Sequence, residues 1–341
     1  MSVASAEMKS MSGPFLKSRL TSDTLMLHTL YALLPLVALG YVLFGLSALL
    51  VTATTVAACV LTEYAVCRAW NRPVTLGDYS AVTTGVLLAL TLPPALPLWM
   101  AFLGGVIAIA LGKMLFGGFC ASLFNPVLVG RLFLQAVFPT AMATLVPTGV
   151  PNRLTALIPS TLALPFTATP SVSAYANTLA AGGWDPSAPK GLLAHLIGTV
   201  PGGIGETSAL LILACGAFLA ARSFLKWRVT VAALVAALIT ASAFAVLQPG
   251  MHANPLATLL SGGLVLGAVF IATDPVTSPA TRRGMYVYGA LIGIVAVVLT
   301  KATPLSHGIV FAILLGNLLV PFIERITQPR PYGYQKPPKK L

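Results

Sequence analysis

Residues 105–113 read Gly-Val-Ile-Ala-Ile-Ala-Leu-Gly-Lys, and residues 293–301 read Gly-Ile-Val-Ala-Val-Val-Leu-Thr-Lys. Glycine, alanine, leucine and lysine recur at the same spacing in both stretches. Further matches upstream are Gly85, Thr91 and Pro93 in the first half and Gly267, Thr273 and Pro275 in the second. The offsets, 188 (293 minus 105) and 182 (267 minus 85), are close enough for one duplication with a small insertion or deletion. The sequence therefore predicts an internal repeat, with chance similarity between apolar helices as the alternative.

The composition around these stretches is that of a membrane protein. The 341 residues are 57% hydrophobic and 8% charged, and the mean hydropathy is +0.90. Average soluble domains are about 45–50% apolar and about 25% charged, so a water-soluble enzyme is excluded. A disordered chain is excluded as well, because such chains are poor in apolar residues.

Ten apolar segments have lengths near the 20 residues that cross a bilayer as a helix. They are residues 24–45, 48–68, 78–92, 97–116, 122–139, 206–222, 228–248, 254–273, 285–301 and 305–323. The third is short and stops at Pro93-Pro94, where neither residue can donate an amide. We expect either a short untilted helix or an interrupted one there.

The distribution of lysine and arginine orients the spans. Sixteen of the twenty basic residues fall on one side when ten spans alternate across the membrane. Positive charge concentrates in cytoplasmic segments, so we expect both termini to be cytoplasmic. The net charge of +12 then indicates no nucleic-acid partner. The long loop 140–205 is expected on the outer side.

If the duplication is real, each half holds five spans, and an odd number makes the halves antiparallel in the membrane. The predicted fold class is an all-α polytopic membrane protein with about ten transmembrane helices in two inverted five-helix repeats with interrupted helices. Such repeats often place a binding site between broken helices. The predicted organisation is a cytoplasmic segment 1–23, a first repeat 24–139, an extracytoplasmic loop 140–205, a second repeat 206–323 and a basic cytoplasmic tail 324–341.

Three polar motifs interrupt the apolar spans. The first links the fourth and fifth spans and contains Gly117, Gly118 and Asn125, followed by Pro126. The glycines allow close backbone approach, and Asn125 can offer its amide to a polar ring. The alternative is a tight turn in which Asn125 caps the following helix.

The second motif contains Asp274 and Thr277 at the end of a span. Acids near membrane depth are costly and indicate function by default. The alternative is that Asp274 caps a helix or pairs with Arg282 or Arg283.

The third motif, residues 201–209, contains Glu206 and Thr207 and predicts a helix start with Glu206 in its first turn. Exposed amides at such a start can hold an anion. The GxGxxG spacing of a dinucleotide fingerprint is missing.

Residues 166–170 in the outer loop form, by their residues alone, an ordinary threonine-rich turn. The sequence indicates no metal-ligand cluster, nucleophile triad or P-loop.

Together these segments resemble the D subunit of the Rnf ferredoxin:NAD⁺ electron-transport complex and its paralogue, the B subunit of the sodium-pumping NADH:quinone oxidoreductase. The resemblance covers most of the chain. It rests on Ser12-Gly13-Pro14, on residues 113–126 (similar to K-x-L-F-G-G-x-x-x-N-x-F-N-P), on residues 205–209 and on residues 273–279.

The resemblance implies a flavin-carrying membrane subunit that couples electron transfer to ion movement. In the family, FMN is joined through its phosphate to a threonine in an S/T-G-A-T-type motif, and the nearest match here places it on Thr169. Phe166, Thr167 and Ala163 differ from the family's usual residues. The loops around Asn125 and Asp274, with Gly117, Gly118, Glu206, Thr207 and Thr277, are expected to hold a second, non-covalent flavin or to shape the ion path.

The implied partners are the other membrane and peripheral subunits of an Rnf-type complex, including a second flavin subunit and iron–sulfur subunits, together with a flavin transferase. The implied location is the bacterial inner membrane. Two alternatives stay open at this point. One is a small-solute channel or transporter of urea-transporter-like architecture, and the other is a structural membrane anchor.

Overall fold

The described part of the computed structural model is helical, with no strand in it. It comprises residues 21–118, 121–143, 146, 148, 154, 157–164, 192–198, 200–247, 255–302 and 308–329. Within these ranges, five helices are long and apolar enough to cross a membrane, and four shorter apolar helices accompany them. The expectation of an all-helical, multi-pass membrane protein is confirmed in this form. Thr169, residues 1–20 and residues 330–341 lie outside the described residues.

Nine apolar helices of at least 12 residues, together with one five-residue helix, α8, are labelled in chain order along the described part of the chain. They are α1 Ser22–Phe44, α2 Leu46–Ala69, α3 Ser80–Thr91, α4 Leu98–Ile109, α5 Pro126–Val137, α6 Ala209–Ala221, α7 Trp227–Leu247, α8 Gly262–Leu266, α9 Arg282–Ala302 and α10 Gly308–Thr327. The five long ones are α1, α2, α7, α9 and α10. Two helices continue into π-helical turns, α4 into Ala110–Met114 and α8 into Gly267–Ile271. Short helical turns lie at Leu76–Asp78, Pro139–Met142, Pro159–Leu162, Leu192–Ile197 and Pro255–Leu259. One large apolar core draws on side chains from all ten helices.

Helix α3 ends inside the protein, as the proline pair predicts. Its 12 residues extend about 18 Å, well short of the roughly 30 Å of a bilayer core. The carbonyls left free at its end accept hydrogen bonds from the segment that precedes α6. Ile204 donates to the carbonyl of Leu92 at 3.0 Å, and Gly205 donates to that of Leu90 at 2.8 Å. The break is therefore satisfied by backbone from the other half of the chain.

Small residues set the closest helix contacts in both halves. A Cβ atom added to Gly105 of α4 would lie 3.0 Å from the carbonyl oxygen of Thr55 and 2.8 Å from Cβ of Ala58, both on α2. A Cβ atom added to Gly293 of α9 would lie 2.2 Å from the carbonyl oxygen of Ala233 on α7. Close backbone approach at glycine is how helices pack in membranes without a hydrophobic driving force.

A second contact also recurs. Gly112, at the end of α4, meets the start of α5, where its added Cβ would be 2.6 Å from Cα of Pro126. Gly308, at the start of α10, meets the end of α9, where its added Cβ would be 2.6 Å from Oγ1 of Thr300. The pairs of helices α4–α5 and α9–α10 thus meet at corresponding ends.

Candidate functional site

The motif ahead of α5 and the motif after α8 meet in space. Asn125 is the N-cap of α5, and its Oδ1 accepts a hydrogen bond from the amide of Val127 at 3.0 Å. Its Nδ2 donates to Oδ2 of Asp274 at 3.2 Å and to the carbonyl of Ile271 at 3.4 Å. Capping and bridging are therefore both performed by this one buried side chain.

The loop after α8 is held around the Asp274 carboxylate. Thr277 donates its hydroxyl to Oδ2 of Asp274 at 3.2 Å, and the amide of Val276 donates to Oδ1 at 3.4 Å. Among the described residues, no ion pair joins Asp274 to Arg282 or Arg283. The alternative of an arginine pair is therefore wrong, and the carboxylate is aimed at Asn125.

Lys226, in the connection between α6 and α7, donates hydrogen bonds to the same loop from the other side. Its Nζ donates to Oγ of Ser278 at 2.9 Å and to the Ser278 carbonyl at 3.0 Å. Burial lowers the pKa of Lys226, and the charges of Asp274 and Glu324 oppose that shift. Burial also raises the pKa of Asp274 above its ordinary 3.8, against hydrogen bonds from Val276 and Thr277 and the charge of Lys226.

A cavity of about 70 Å³ lies beside this contact, and we call it the Asn125 cavity. Its polar lining includes Asn125, Asp274, Ser80 and Lys113, and its apolar lining includes side chains of α1, α3 and α6. The wall has the mixture of apolar surface and a few polar groups that is usual in small-molecule sites.

A buried ionic cluster forms part of this wall. Nζ of Lys113 donates to both carboxylate oxygens of Glu63, at 2.7 and 2.8 Å, and to Oγ of Ser80 at 2.6 Å. Asp78 Oδ2 lies 3.9 Å from the same nitrogen, and Thr75 donates its hydroxyl to Glu63. The Lys113 and Glu63 side chains are 2% and 0% exposed, so this ion pair is buried inside the bundle.

The sequence analysis missed the Glu63–Lys113 pair as a site. The signal was present, since Glu63 lies within the second predicted apolar span and Lys113 within the fourth. Opposite charges inside two spans are costly unless they meet.

The second cavity, of about 200 Å³, is lined in part by Glu206 and is called the Glu206 cavity. Thr207, Thr258, Ser261 and Thr300 add hydroxyl groups to its lining. The prediction that Glu206 lies in the first helical turn is wrong. Helix α6 begins at Ala209 with Ser208 as its N-cap, because the Ser208 hydroxyl rather than the Glu206 carboxylate accepts an amide of the first turn.

Arg131, in the middle of α5, interacts electrostatically with Glu206. It is 1% exposed, and its Nε and Nη1 have no hydrogen-bond partner among the described residues. Guanidinium nitrogens without hydrogen bonds are expensive in this environment, so the two side chains concentrate charge beside the Glu206 cavity.

Gly117 and Gly118 close the π turn that ends α4. Their φ angles are +110° and +121°, and Gly118 donates its amide to the carbonyl of Lys113 at 3.1 Å. Glycine is required there because side chains are strained at positive φ. The described lining of the Asn125 cavity does not include these two glycines, although it includes Ser122 and Asn125 just after them. No group of three potential metal ligands occurs in the described ranges.

Comparison with known proteins identifies the lineage. The profile of the NQR2, RnfD, RnfE family matches residues 9–333. The chain belongs to this family.

It is 37% identical over 329 residues to the D subunit of the ion-translocating oxidoreductase complex of Stutzerimonas stutzeri, covering 92% of this chain and 93% of the relative. It is 36% identical to the D subunit of the Na⁺-translocating ferredoxin:NAD⁺ oxidoreductase complex of Acetobacterium woodii, covering 95% of both chains. It is 33% identical to the D subunit of the proton-translocating ferredoxin:NAD⁺ oxidoreductase complex of Clostridium ljungdahlii, covering 95% of this chain and 96% of the relative.

Three of the four motifs on which the resemblance to this family rests border the two cavities, and the fourth, Ser12-Gly13-Pro14, lies outside the described residues. Residues 113–126 and 273–279 contribute Lys113, Asn125 and Asp274 to the Asn125 cavity. Residues 205–209 contribute Glu206 and Thr207 to the Glu206 cavity. The structure therefore brings Asn125, Asp274 and Thr277 together and keeps Glu206 and Thr207 in a separate site.

Proposed function

We propose that this chain is the D-type membrane component of an ion-translocating ferredoxin:NAD⁺ oxidoreductase of the bacterial inner membrane. There it relays electrons between the ferredoxin and NAD⁺ branches and couples this flow to Na⁺ or H⁺ movement. The observation that carries the proposal is membership of the family over residues 9–333, with relatives named as D subunits of such complexes. The chain acts only with its partners, which include a second flavin subunit and iron–sulfur subunits.

We further propose ten spans in two inverted halves, with both termini cytoplasmic. The recurring glycine contacts support the duplication, because Gly105 and Gly293, which the offset of 188 matches, make corresponding contacts, and the contact of Gly112 with Pro126 has a counterpart between Thr300 and Gly308. Gly105 and Gly293 contact the second helix of their own half, and Gly112 and Gly308 join the fourth helix to the fifth. In this orientation the Asn125 cavity faces the cytoplasmic side and the Glu206 cavity the outer side.

For the outer side we propose a covalent FMN, esterified through its phosphate to Thr169 by a flavin transferase. The last part of the 140–205 loop borders the Glu206 cavity through His195 and Pro201, which supports a cofactor near that cavity. Bound flavin supplies one- and two-electron transfer, while the protein supplies position and electrostatics.

For the Asn125 cavity we propose a second, non-covalent flavin. The donor set fits a flat ring with a polar edge. Phe224 and Phe270 offer aromatic surface, and Ser80, Lys113 and Asn125, which hydrogen-bond to Asp78, Glu63 and Asp274, make part of the wall polar. The residues orient such a ring by hydrogen bonding along one edge and exclude water along the other.

One experiment separates these proposals from the transporter alternative. The complex is purified, denatured and resolved on a gel that is viewed under blue light. We expect a fluorescent band at about 35.3 kDa, lost in Thr169→Ala and kept in the matched control Thr167→Ala. Flavin released from the wild type by acid should be lowered in Asn125→Leu. A sample with neither bound nor released flavin would instead favour a small-solute channel.

We propose that ion coupling acts through the carboxylates of Asp274 and Glu206. A change of charge on a bound cofactor would bias two arrangements of the halves and open the ion path alternately to each side. Asp274→Asn and Glu206→Gln should each lower ion transport per electron in vesicles. Full pumping at normal electron flux in both variants would refute this coupling.

A further inference from the structure

Four arginines at one end of the bundle each lie over an exposed aromatic ring. The guanidinium carbon is 4.9–5.5 Å from the ring centroid in the pairs Arg68 over Tyr64, Arg72 over Trp70, Arg222 over Phe218 and Arg228 over Trp227. The four rings are 43–48% exposed. Contact with a ring holds the flat guanidinium in place, so its direction is set before any ligand arrives.

The four pairs form two sets at the same end of the molecule. The α2 set consists of Arg68 and Arg72 with their rings at the end of α2, and the α7 set consists of Arg222 and Arg228 with theirs around the connection between α6 and α7. Ser80, which follows the α2 set in the chain, and Phe224, within the α6–α7 connection, both line the Asn125 cavity. Both sets therefore belong to the end of the bundle at which that cavity lies.

The positive charge of the two sets is not neutralised within the described residues. Salt bridges there involve only Lys113, so none of the four guanidiniums is paired with a carboxylate. A ring covers the face of a guanidinium but leaves the N–H donors that radiate in its plane. A planar fork of donors matches two oxygens of a phosphate group, which indicates an anionic ligand of that kind.

An apolar strip continues from the α7 set along the outside of helix α7. Trp227, Val231, Val235 and Ile239 recur at every fourth position and are 46–65% exposed. At about 1.5 Å per residue the strip is about 18 Å long, slightly more than half of the roughly 30 Å hydrocarbon core of a bilayer. Leu61, 56% exposed, extends the α2 set in the same way. A ligand that fits both features has an anionic head and an apolar tail.

We propose that the α2 set and the α7 set each bind an anionic phospholipid of the surrounding bilayer. The guanidiniums hold the phosphodiester, and the acyl chains lie along the apolar strips. Aromatic rings of membrane proteins lie at the level of the lipid head groups, where these rings place the arginines. Selection comes from charge, because a phosphatidylcholine head carries a cation that opposes the guanidiniums, whereas phosphatidylglycerol carries only the negative charge.

The test measures quenching of tryptophan fluorescence by brominated lipids in the full-length chain, reconstituted into vesicles. The chain has four tryptophans, and replacing any three by phenylalanine leaves either Trp70 or Trp227 to report on its own set. Vesicles of phosphatidylglycerol and phosphatidylcholine carry the bromine on one lipid or the other. The ratio of the two quenching signals gives the preference for the anionic lipid. We expect a preference of at least about fivefold at both tryptophans, since each arginine near an anionic lipid contributes about that factor, and a smaller preference in high salt.

Arg222→Gln/Arg228→Gln should bring the preference at Trp227 close to one while leaving Trp70 unchanged. The same double substitution in the α2 set should do the reverse. Arg222→Lys/Arg228→Lys should retain only part of the preference, because lysine keeps the charge but lacks the planar fork of donors. These side chains lie at the surface, so the helical circular dichroism of every variant should match that of the wild type.

The matched control is Arg282→Gln/Arg283→Gln. These two arginines are exposed at the start of α9, at the same end of the bundle, and no aromatic ring lies under them in the described part of the chain. The control removes the same charge and should change the preference at Trp227 by no more than about twofold, since exposed charges more than a Debye length apart are screened.

Equal quenching by the two brominated lipids in the wild type would overturn the proposal, because no head group would then be selected. A loss in the control as large as in Arg222→Gln/Arg228→Gln would overturn it too, since charge spread over the whole surface would explain the preference. Quenching by neither lipid would show that the rings do not face lipid, and a neighbouring protein would then be the better occupant of this surface.

Discussion

The buried pair of Glu63 and Lys113 offers a direct measurement of what an ion pair contributes inside this bundle. Both N–H···O distances are short, at 2.7 and 2.8 Å, and the two side chains are almost completely covered. Removing one partner of a buried pair costs about 3–5 kcal/mol, because the remaining charge is left unpaired. For Glu63→Gln we expect the lower end, about 3 kcal/mol, since Asp78 lies 3.9 Å from the ammonium and still offsets its charge.

Lys113→Met should cost more, about 4–5 kcal/mol, because it leaves Glu63 and Asp78 without a common cation. The double variant Glu63→Gln/Lys113→Met buries no charge at either position. It should therefore lose less than the sum of the single variants, with a coupling energy of about 2–3 kcal/mol.

The assay is unfolding in mixed micelles of increasing dodecyl sulfate content, followed by helical circular dichroism. Arg68→Met is the control, because Arg68 is an exposed cation on the same helix as Glu63, and it should change the unfolding free energy by no more than about 0.5 kcal/mol. Additive losses, or a loss below about 1 kcal/mol in either single variant, would refute the reasoning that the pair is desolvated.

Three further outcomes are expected. Gly293→Ala should destabilise the protein by about 1–3 kcal/mol in the same assay, because its Cβ would lie 2.2 Å from the carbonyl of Ala233, whereas Gly77→Ala meets nothing within 4 Å and should be neutral. Equal effects of the two would contradict the packing argument. Asp274 has a folded-state pKa above its ordinary 3.8, so its favourable contribution is complete below that value and is lost as pH rises through the raised pKa. The Asp274→Asn variant should consequently show a flatter unfolding profile above pH 4 (about the ordinary Asp value), and an unchanged slope would refute this. Lys226→Met should speed proteolysis of the loop after Asp274, since three backbone carbonyls and one hydroxyl lose their common donor, and Lys226→Arg should be milder.

Much of this architecture is legible in the sequence because it depends on local chemistry. The proline pair after Leu92 ends α3 whatever the helix packs against. Asn125 before a proline predicts the start of α5, and the matching glycines predict close contacts. These features need no knowledge of helix rotation or tilt.

The contacts across the bundle depend on rotation and tilt, and they could not be derived in the same way. Glu63 and Lys113 are 50 residues apart in the sequence, with two helix ends between them. From the sequence, either side chain could have faced a terminal segment or lipid instead of the other. The π turn at Ala110–Met114 shifts the direction of Lys113 relative to a regular helix, which no periodicity argument anticipates. The position of Glu206 was predicted wrongly for a related reason, since the glycines around it allow several turn conformations before the helix begins.

The position of α5 explains why the two cavities need not act independently. Asn125 at its start bonds to Asp274, and Arg131 one and two-thirds turns later interacts with Glu206. The helix has only 12 residues, and these two positions are about 9 Å apart along its axis. A packed helix of this length moves as a unit, because its neighbours are as dense as a crystal and do not deform continuously. A displacement of α5 that lengthens the Asn125–Asp274 hydrogen bond would therefore also move Arg131, whose charge acts on Glu206. In the function proposed above, this shared element would transmit a change of charge in one cavity to the other, as coupling of a redox event to ion movement requires.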